Sequence, residues 1–155
     1  MAVKKTYRAL SIRQPLAWLI AHGYRDVDNR SWATPYRGPI LIHASVTNSK
    51  WHWYHANEVM IKHQRNRLIA RACEEAPYPP GYEGSTFDEF GGIVGIAELV
   101  DCVSSRTCRS VWAQRKAGYC FVFASASPVR FVPVVGRLNI FHVDLGPKTL
   151  RKLKP

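Results

Sequence analysis

Between Asn48 and Ala76 the chain contains neither proline nor glycine, whereas the segments on either side are punctuated by both. Inside the uninterrupted stretch Trp53, Met60, Ile61, Leu68, Ile69 and Ala72 recur at helical distances, which predicts one long helical segment, with a break near Asn57. Outside it the apolar residues come in short runs: Tyr7 to Ile12, Ile40 to Ala44, Gly91 to Val103, Tyr119 to Ala124, Pro128 to Pro133 and Asn139 to Val143. Rich in β-branched and aromatic residues and bounded by Gly or Pro, these read as strands. Gly91, Gly92 and Gly95 predict a bend or a close backbone approach. A short first helix is predicted from about Pro15 to His22, with Pro15 in its first turn and Gly23 as its C-cap. Val27 to Trp32 is short and mixed, Thr34 to Pro39 is turn-like, and Arg106 to Lys116 is an irregular or short helical stretch around Trp112. The order strand, helix, strands, helix, strands lacks the regular helical crossovers of a parallel sheet. It fits an α+β domain, a mainly antiparallel and partly closed β-barrel with a short N-terminal helix and one longer helical segment.

The apolar fraction is 46%, with five Trp, seven Tyr and six Phe, enough for a sizeable core in one domain. The expectation is a single domain over residues 1–155, with its core at about 6–145 and a basic tail, 147–155, either frayed or touching phosphate. The formal net charge is +11, which favours an anionic partner such as nucleic acid or a nucleotide. The charge is unevenly spread. Residues 1–72 hold twelve basic and three acidic side chains, residues 73–101 seven acids and no base, and residues 102–155 ten bases and one acid. At least one region is therefore acidic, or some acids turn inward to meet arginines. The loop 77–90, with its adjacent acids and mixed aromatics, is a candidate cover for a site. Cys73, Cys102, Cys108 and Cys120 form no CxxC unit, and His52 and His55 share a helix face without an acidic third ligand nearby. No metal and no cofactor is expected. The opening residues MAVKKTY lack the apolar core of a signal peptide, and no apolar run reaches the ~18 residues of a membrane span. The expectation is a cytoplasmic protein with free thiols.

Several residues carry chemistry. Ser11, Arg13 and Gln14 stand where a strand passes into a helix. Free backbone N–H groups there favour an anion, Arg13 adds charge-assisted bonds, and Gln14 suits a base edge or a loop contact. Arg25, Asp28 and Arg30 alternate in charge, with Asn29 between them. In an extended segment Asp28 and Arg30 project to one side. Glu98 interrupts an apolar strand, so if it points inward it needs a basic partner such as Arg13 or Arg30. His43 lies in a strand, Ser45 just after it, and Lys50 and Trp51 near the start of the long helix. Lys50, with His43 or Tyr36 handling a proton, could assist phosphodiester cleavage. Trp32 follows the charged cluster and reads as a cleft aromatic able to stack on a base, worth ~1–3 kcal/mol. Trp18 reads as packing against the barrel at the cleft's edge.

Three stretches carry a family resemblance: SIRQPLAWLIAHGYRDVDNRSW, YRGPILIHAS, and the run from GGIVGIAELVDC through GYCFVF to FVPVVGRLNIF. They resemble the ASCH family, a branch of the PUA-like β-barrels, and within it small stand-alone proteins of bacterial type. The family's GxKxxExR signature reads here as Gly23, Arg25, Asp28 and Arg30. The resemblance implies a PUA-like barrel with a cleft beside the first helix. Many relatives are inferred to bind RNA, some small ones are amidohydrolases acting on N4-acylated cytidine, and ribonuclease activity also occurs. In the amidohydrolase-like relatives the catalytic lysine, threonine and glutamate correspond to Arg25, Asp28 and Glu98, so only the glutamate is kept in kind. An arginine stays protonated and is a poor general base.

The leading expectation is an RNA- or nucleotide-binding domain, with single-stranded RNA the favoured form. A cleft built by residues 11–18, 28–32, 43–51 and Glu98 would accept one base. The alternatives are a metal-independent ribonuclease using Lys50, Glu98, His43 and Tyr36, an amidohydrolase on a modified pyrimidine as the weaker enzymatic reading, and a protein-interaction module using the loop 77–90.

Overall fold

The computed structural model describes residues 3–154. In chain order the elements are β1 (Lys5–Ile12), α1 (Leu16–Ala21), β2 (Val27–Arg30), β3 (Gly38–Ala44), α2 (Lys50–Lys62), α3 (Arg67–Glu75), β4 (Gly92–Ser104), β5 (Tyr119–Pro133), β6 (Ile140–Leu145) and α4 (Pro147–Leu150), followed by a 3-10 turn at Arg151–Leu153. The strands form one six-stranded sheet in the order β2-β5-β4-β3-β1-β6. All neighbouring pairs are antiparallel except β1 and β3.

The α+β class and the mainly antiparallel sheet are as expected for a PUA-like barrel, but the sheet does not close. Its edge strands β2 and β6 do not pair with each other among the described residues. It curls nonetheless. With strands about 4.8 Å apart, a flat sheet would hold β5 and β6 roughly 19 Å from one another. Instead the 3-10 turn that follows β6 rests on β5, and Val129 and Val132 of β5 share a buried cluster with Phe141, Val143 and Leu145 of β6. Register shifts at three places along the β4–β5 ladder supply the bend.

Strand alternation explains the run Ile40-Leu41-Ile42. Ile40 and Ile42 join Leu10, Ile12, Val94, Leu99 and Phe121 in the larger core, which α1, α2 and α3 cover with Leu19, Ile20, Ala56, Met60, Ile69 and Ala72. Leu41 points the other way, into the second cluster with Ala9 and Ile93. A strand buried on both faces has no polar positions to alternate with.

Three sequence expectations need correction. The long helical segment is broken at His63–Asn66, not near Asn57, because the Asn66 side chain accepts from the backbone N–H of Leu68 (2.9 Å) and Ile69 (3.4 Å) and so starts a new helix. The predicted strands 119–124 and 128–133 are one strand, β5. Ser125 takes a positive φ of 51° at the interruption, yet Ser127 still pairs with Ile96. The basic tail is not frayed over its described residues, 147–154, and Pro155 lies outside them. Leu150 and Leu153, three apart on a helical turn, dock on the second cluster, and Leu153 is buried.

Candidate nucleic-acid interface

Because β1 and β3 run parallel, their C-terminal ends reach the same end of the sheet, with Ser11 directly paired to His43. β4 begins and β5 ends there too, since each is antiparallel to its neighbour. A cleft of about 880 Å³ opens at this end. Its walls come from the end of β1, from β2 and Arg25 just ahead of it, from the end of β3 with the loop beyond, from the first turn of α2, and from the loop joining β5 to β6.

Of the residues expected in it, the cleft brings together Ser11, Arg13, Arg25, Asp28, Asn29, Arg30, His43, Ser45 and Trp51. Gln14, Trp18, Trp32, Tyr36, Lys50 and Glu98 lie outside its lining. Gln14 is fully buried, accepting from the Trp18 N–H and donating to the Glu89 carbonyl, each at 2.9 Å. It thereby ties the loop 77–90 to α1. No residue of that loop lines the cleft. Two first-turn amides of α1 are spent internally: Trp18 N–H on Gln14, and Ala17 N–H on the Arg13 carbonyl. Trp18 stacks on His22 and Tyr24, and Trp32 meets Phe121 edge-on. Tyr36 donates to the Pro39 carbonyl at 2.5 Å beneath the Arg8 guanidinium. Lys50 is exposed. Glu98 shares a strand face with Ile96, which packs on the second cluster, and pairs with neither Arg13 nor Arg30.

The cleft floor is an ion cluster. Asp28, 5% exposed, accepts from Arg30 Nε at 2.6 Å, and Arg25 Nη2 stands 3.7 Å from its other oxygen. Arg30 also donates to the Ser11 carbonyl at 2.7 Å. Arg25 is 2% exposed, donates to the Val27 carbonyl at 2.6 Å and lies over the Trp112 ring. Burial lowers its pKa, and Asp28 and then Asp26 oppose that shift. Its Nη1 has no partner, and neither has Nδ1 of His52. Two guanidiniums thus share one carboxylate at the cleft, which leaves part of their donor capacity unmatched. Asn29 braces this strand, donating to the Trp112 carbonyl and accepting from the Gln114 N–H, both at 2.9 Å. Behind it the buried Cys120 thiol is pushed up to about 12 by desolvation and by Cys108, so it is an inert thiol at neutral pH.

The Val134 carbonyl, 2.7 Å from His43 Nε2, can only accept, so Nε2 donates. Nδ1 lies 3.0 Å from the Ser11 hydroxyl and accepts from it in the neutral ring, the form that burial favours. Gly136 presses on the ring from the β5–β6 loop; a Cβ there would sit 2.6 Å from His43 Cε1.

Sequence reasoning missed that loop, which supplies Val135, Arg137 and Leu138 to the cleft, and it missed His52 and Gln114. The sequence offered only two apolar residues, Val135 and Leu138, flanking a glycine and an arginine; the structure shows them 85% and 90% exposed where a core residue would be covered.

His43 and His52 in the cleft, and His55 and His22 outside its lining, are all held below the usual imidazole range. Desolvation is the first cause for each, and for His52 the Arg13 and Arg25 charges add to it. The unfolded chain takes up these protons near pH 6.5 and the folded chain does not. The unfolded state then binds more protons, so stability is full above about pH 6.5 and falls as pH drops through the window between the unfolded and the lowered folded values. Urea midpoints measured from about pH 7.5 down to 5.5 are expected to decline. The decline should be shallower in His43→Gln, and an equal slope in both proteins would take His43 out of this account.

The sequence model of the ASCH domain matches residues 10–133, from the last turn of β1 to the end of β5. The chain is also similar to human "Activating signal cointegrator 1", at 28% identity over 142 residues, covering 87% of this chain and 22% of the relative. The mouse protein of the same name matches with the same identity and coverage. The chain therefore spans about a fifth of the length of these relatives. With the family pattern running from the end of β1 through β5, over most of the chain, the chain belongs to the ASCH domain family.

Proposed function

We propose that the cleft binds single-stranded RNA or a nucleotide. The observation that carries this reading is the composition of the cleft: Arg13, Arg25, Arg30 and Arg137 line it against a single carboxylate, Asp28, with the half-exposed Trp51 at its mouth. Arginines hold phosphate through paired N–H groups, and an aromatic face accepts any base by stacking. Trp51 is already stacked on His55, with ring centroids 4.9 Å apart and planes 5° from parallel, so its ring is held in place for a base. The PUA-like family is associated with RNA binding, which agrees with the charge of the cleft.

Binding is favoured over hydrolysis by the same geometry. His43 lines the cleft, whereas Tyr36, Lys50 and Glu98 do not, so the four residues that would make a ribonuclease are not assembled at one point. His43 has both ring nitrogens engaged. Among the described residues no helix is long and apolar enough to cross a membrane.

The test is the salt dependence of binding to a mixed-sequence single-stranded RNA. With ~4 phosphates neutralised, the slope of log K against log salt concentration is expected to be about −3. Arg137→Ser, at an exposed position, should make the slope shallower by roughly 0.7, the contribution of one phosphate contact. A slope near zero in the wild-type protein would sink the electrostatic reading.

A further inference from the structure

We infer that single-stranded RNA leaves the cleft across the β5–β6 loop and runs in a second, polar groove towards the docked basic tail, whose cations hold its phosphates. The inference rests on the nucleic-acid reading above and adds the path of the strand, so that the preferred ligand is an RNA several nucleotides long and not a mononucleotide. A groove of about 460 Å³ lies beside the cleft and shares Pro133, Val134, Val135 and Arg137 with it. The loop that carries these residues divides the two, and Arg137 lines both. This divide is fixed in place, because His43 donates to the Val134 carbonyl at 2.7 Å and Gly136 lies against the His43 ring. A strand passing over it meets the exposed side chains of Val135 and Leu138, apolar surface that suits the face of a base.

Beyond Arg137 the groove is lined by His142, Asp144 and Thr149, the last of these on α4. From α4 onward the described chain carries Lys148, Arg151, Lys152 and Lys154, all exposed, and no acid. None of the ion pairs among the described residues takes up any of these four or Arg137. The carboxylate in the groove lining, Asp144, accepts from the Thr6 hydroxyl at 2.5 Å instead. Cations without a protein counter-charge beside a polar groove match the regular charge of a phosphate backbone.

The tail presents these cations from a packed element. Leu150 and Leu153 dock on the second core cluster, and the 3-10 turn rests on β5. Less conformational freedom is therefore lost on binding than from a loose segment. From Asn139 in the cleft lining to Leu145 in the groove lining is roughly 20 Å along the β6 segment. At ~3.4 Å per stacked nucleotide, or about twice that when unstacked, this path spans about three to six nucleotides.

The test is a length series of single-stranded RNA, from adenosine monophosphate to an eight-nucleotide oligomer, titrated at several salt concentrations. Three proteins are compared: the wild type, a tail variant with Lys148→Ser, Arg151→Ser and Lys152→Ser, and a control with Lys62→Ser, Arg65→Ser and Arg67→Ser. The control removes the same charge from exposed residues that line neither cavity. Wild-type affinity is expected to climb with length up to about six nucleotides and then level off. In the tail variant the longer RNAs should bind about tenfold or more weakly at about 0.1 M salt. Their slope of log K against log salt concentration should be shallower by roughly 1.4, the loss of about two of the ~4 phosphate contacts. Its affinity for adenosine monophosphate should be unchanged, and the control should keep the wild-type slope. Urea midpoints at the wild-type value confirm that both variants are folded. An unchanged slope in the tail variant, or an equal change in both variants, overturns the path. So does a wild-type affinity that does not grow with length, in which case binding of the mononucleotide leaves the reading of the cleft standing. Failure of every ligand, the mononucleotide included, overturns both.

Discussion

An Asp28→Ala variant is expected to lose about 3 to 5 kcal/mol of folding stability, and to regain part of that loss when a nucleotide is added. Among the described residues Asp28 is the only carboxylate in the cleft lining, and it faces two guanidiniums at 2.6 and 3.7 Å. Without it Arg30 loses its ion-pair partner and Arg25, already short of one acceptor, loses its nearest counter-charge. Breaking one side of a buried pair is expensive because the surviving charge stays desolvated. A bound phosphate supplies the missing charge at the same floor, so the ligand stabilises the folded variant more than it stabilises the wild-type protein. A ligand at a hundred times its Kd returns about 2.7 kcal/mol. Urea unfolding of both proteins, with and without adenosine monophosphate, measures the two effects together. A loss under about 1 kcal/mol would mean that this cluster behaves as an ordinary surface pair. A full loss with no recovery would show that the anion does not sit on Arg25 and Arg30.

The elements were legible wherever local chemistry decides them. Gly23, at a φ of 77°, ends α1 where its position predicted a C-cap. The apolar runs became strands because their residues have no other way to bury. What failed was local ambiguity. Asn66 and Asn57 are the same residue type in the same polar stretch, and only Asn66 caps the amides that follow it. The residues from Ser125 to Pro128 separated two predicted strands, yet here they form a bulge inside the single strand β5. The site was legible in part for the same reason. Ser11, Arg13, Arg25, Asp28, Asn29, Arg30, His43, Ser45 and Trp51 converge because the parallel pairing of β1 and β3 brings their ends together, and three of the residue groups were near one another in sequence. Glu98 shows the limit. Alternation separates it from Ala97 and Leu99 but does not say which face is the cleft side. The loop carrying Arg137 and Leu138 shows another, since a link between two strands has no periodicity from which to read its direction.

Gly95→Val is expected to cost about 3 kcal/mol or more, at the upper end of overpacking, and to remove RNA binding with it. Gly95 lies where α1 crosses β4. A Cβ there would stand 2.5 Å from the Ala21 Cβ, 3.1 Å from the Ala21 Cα and 3.1 Å from the Ser127 carbonyl oxygen. None of these is the end of a flexible side chain: Ala21 is fully buried in the helix, and Ser127 belongs to the ladder with Ile96. The clash is relieved only if α1 lifts from the sheet. That movement pulls on Gln14, whose amide joins α1 to the Glu89 carbonyl, and on Arg13 at the cleft wall immediately before it. A helix shifted by even a fraction of an ångström therefore reaches the cleft through two residues of backbone. Gly146→Ala serves as the control, because a Cβ at Gly146 meets nothing within 4 Å and its φ is −75°. It should stay within about 0.5 kcal/mol of wild type. Urea unfolding with RNA titration of both variants separates the effects. If Gly95→Val folds with wild-type stability, α1 does not rest on β4 as closely as described. If it folds poorly but binds normally in the folded fraction, the helix position does not set the cleft.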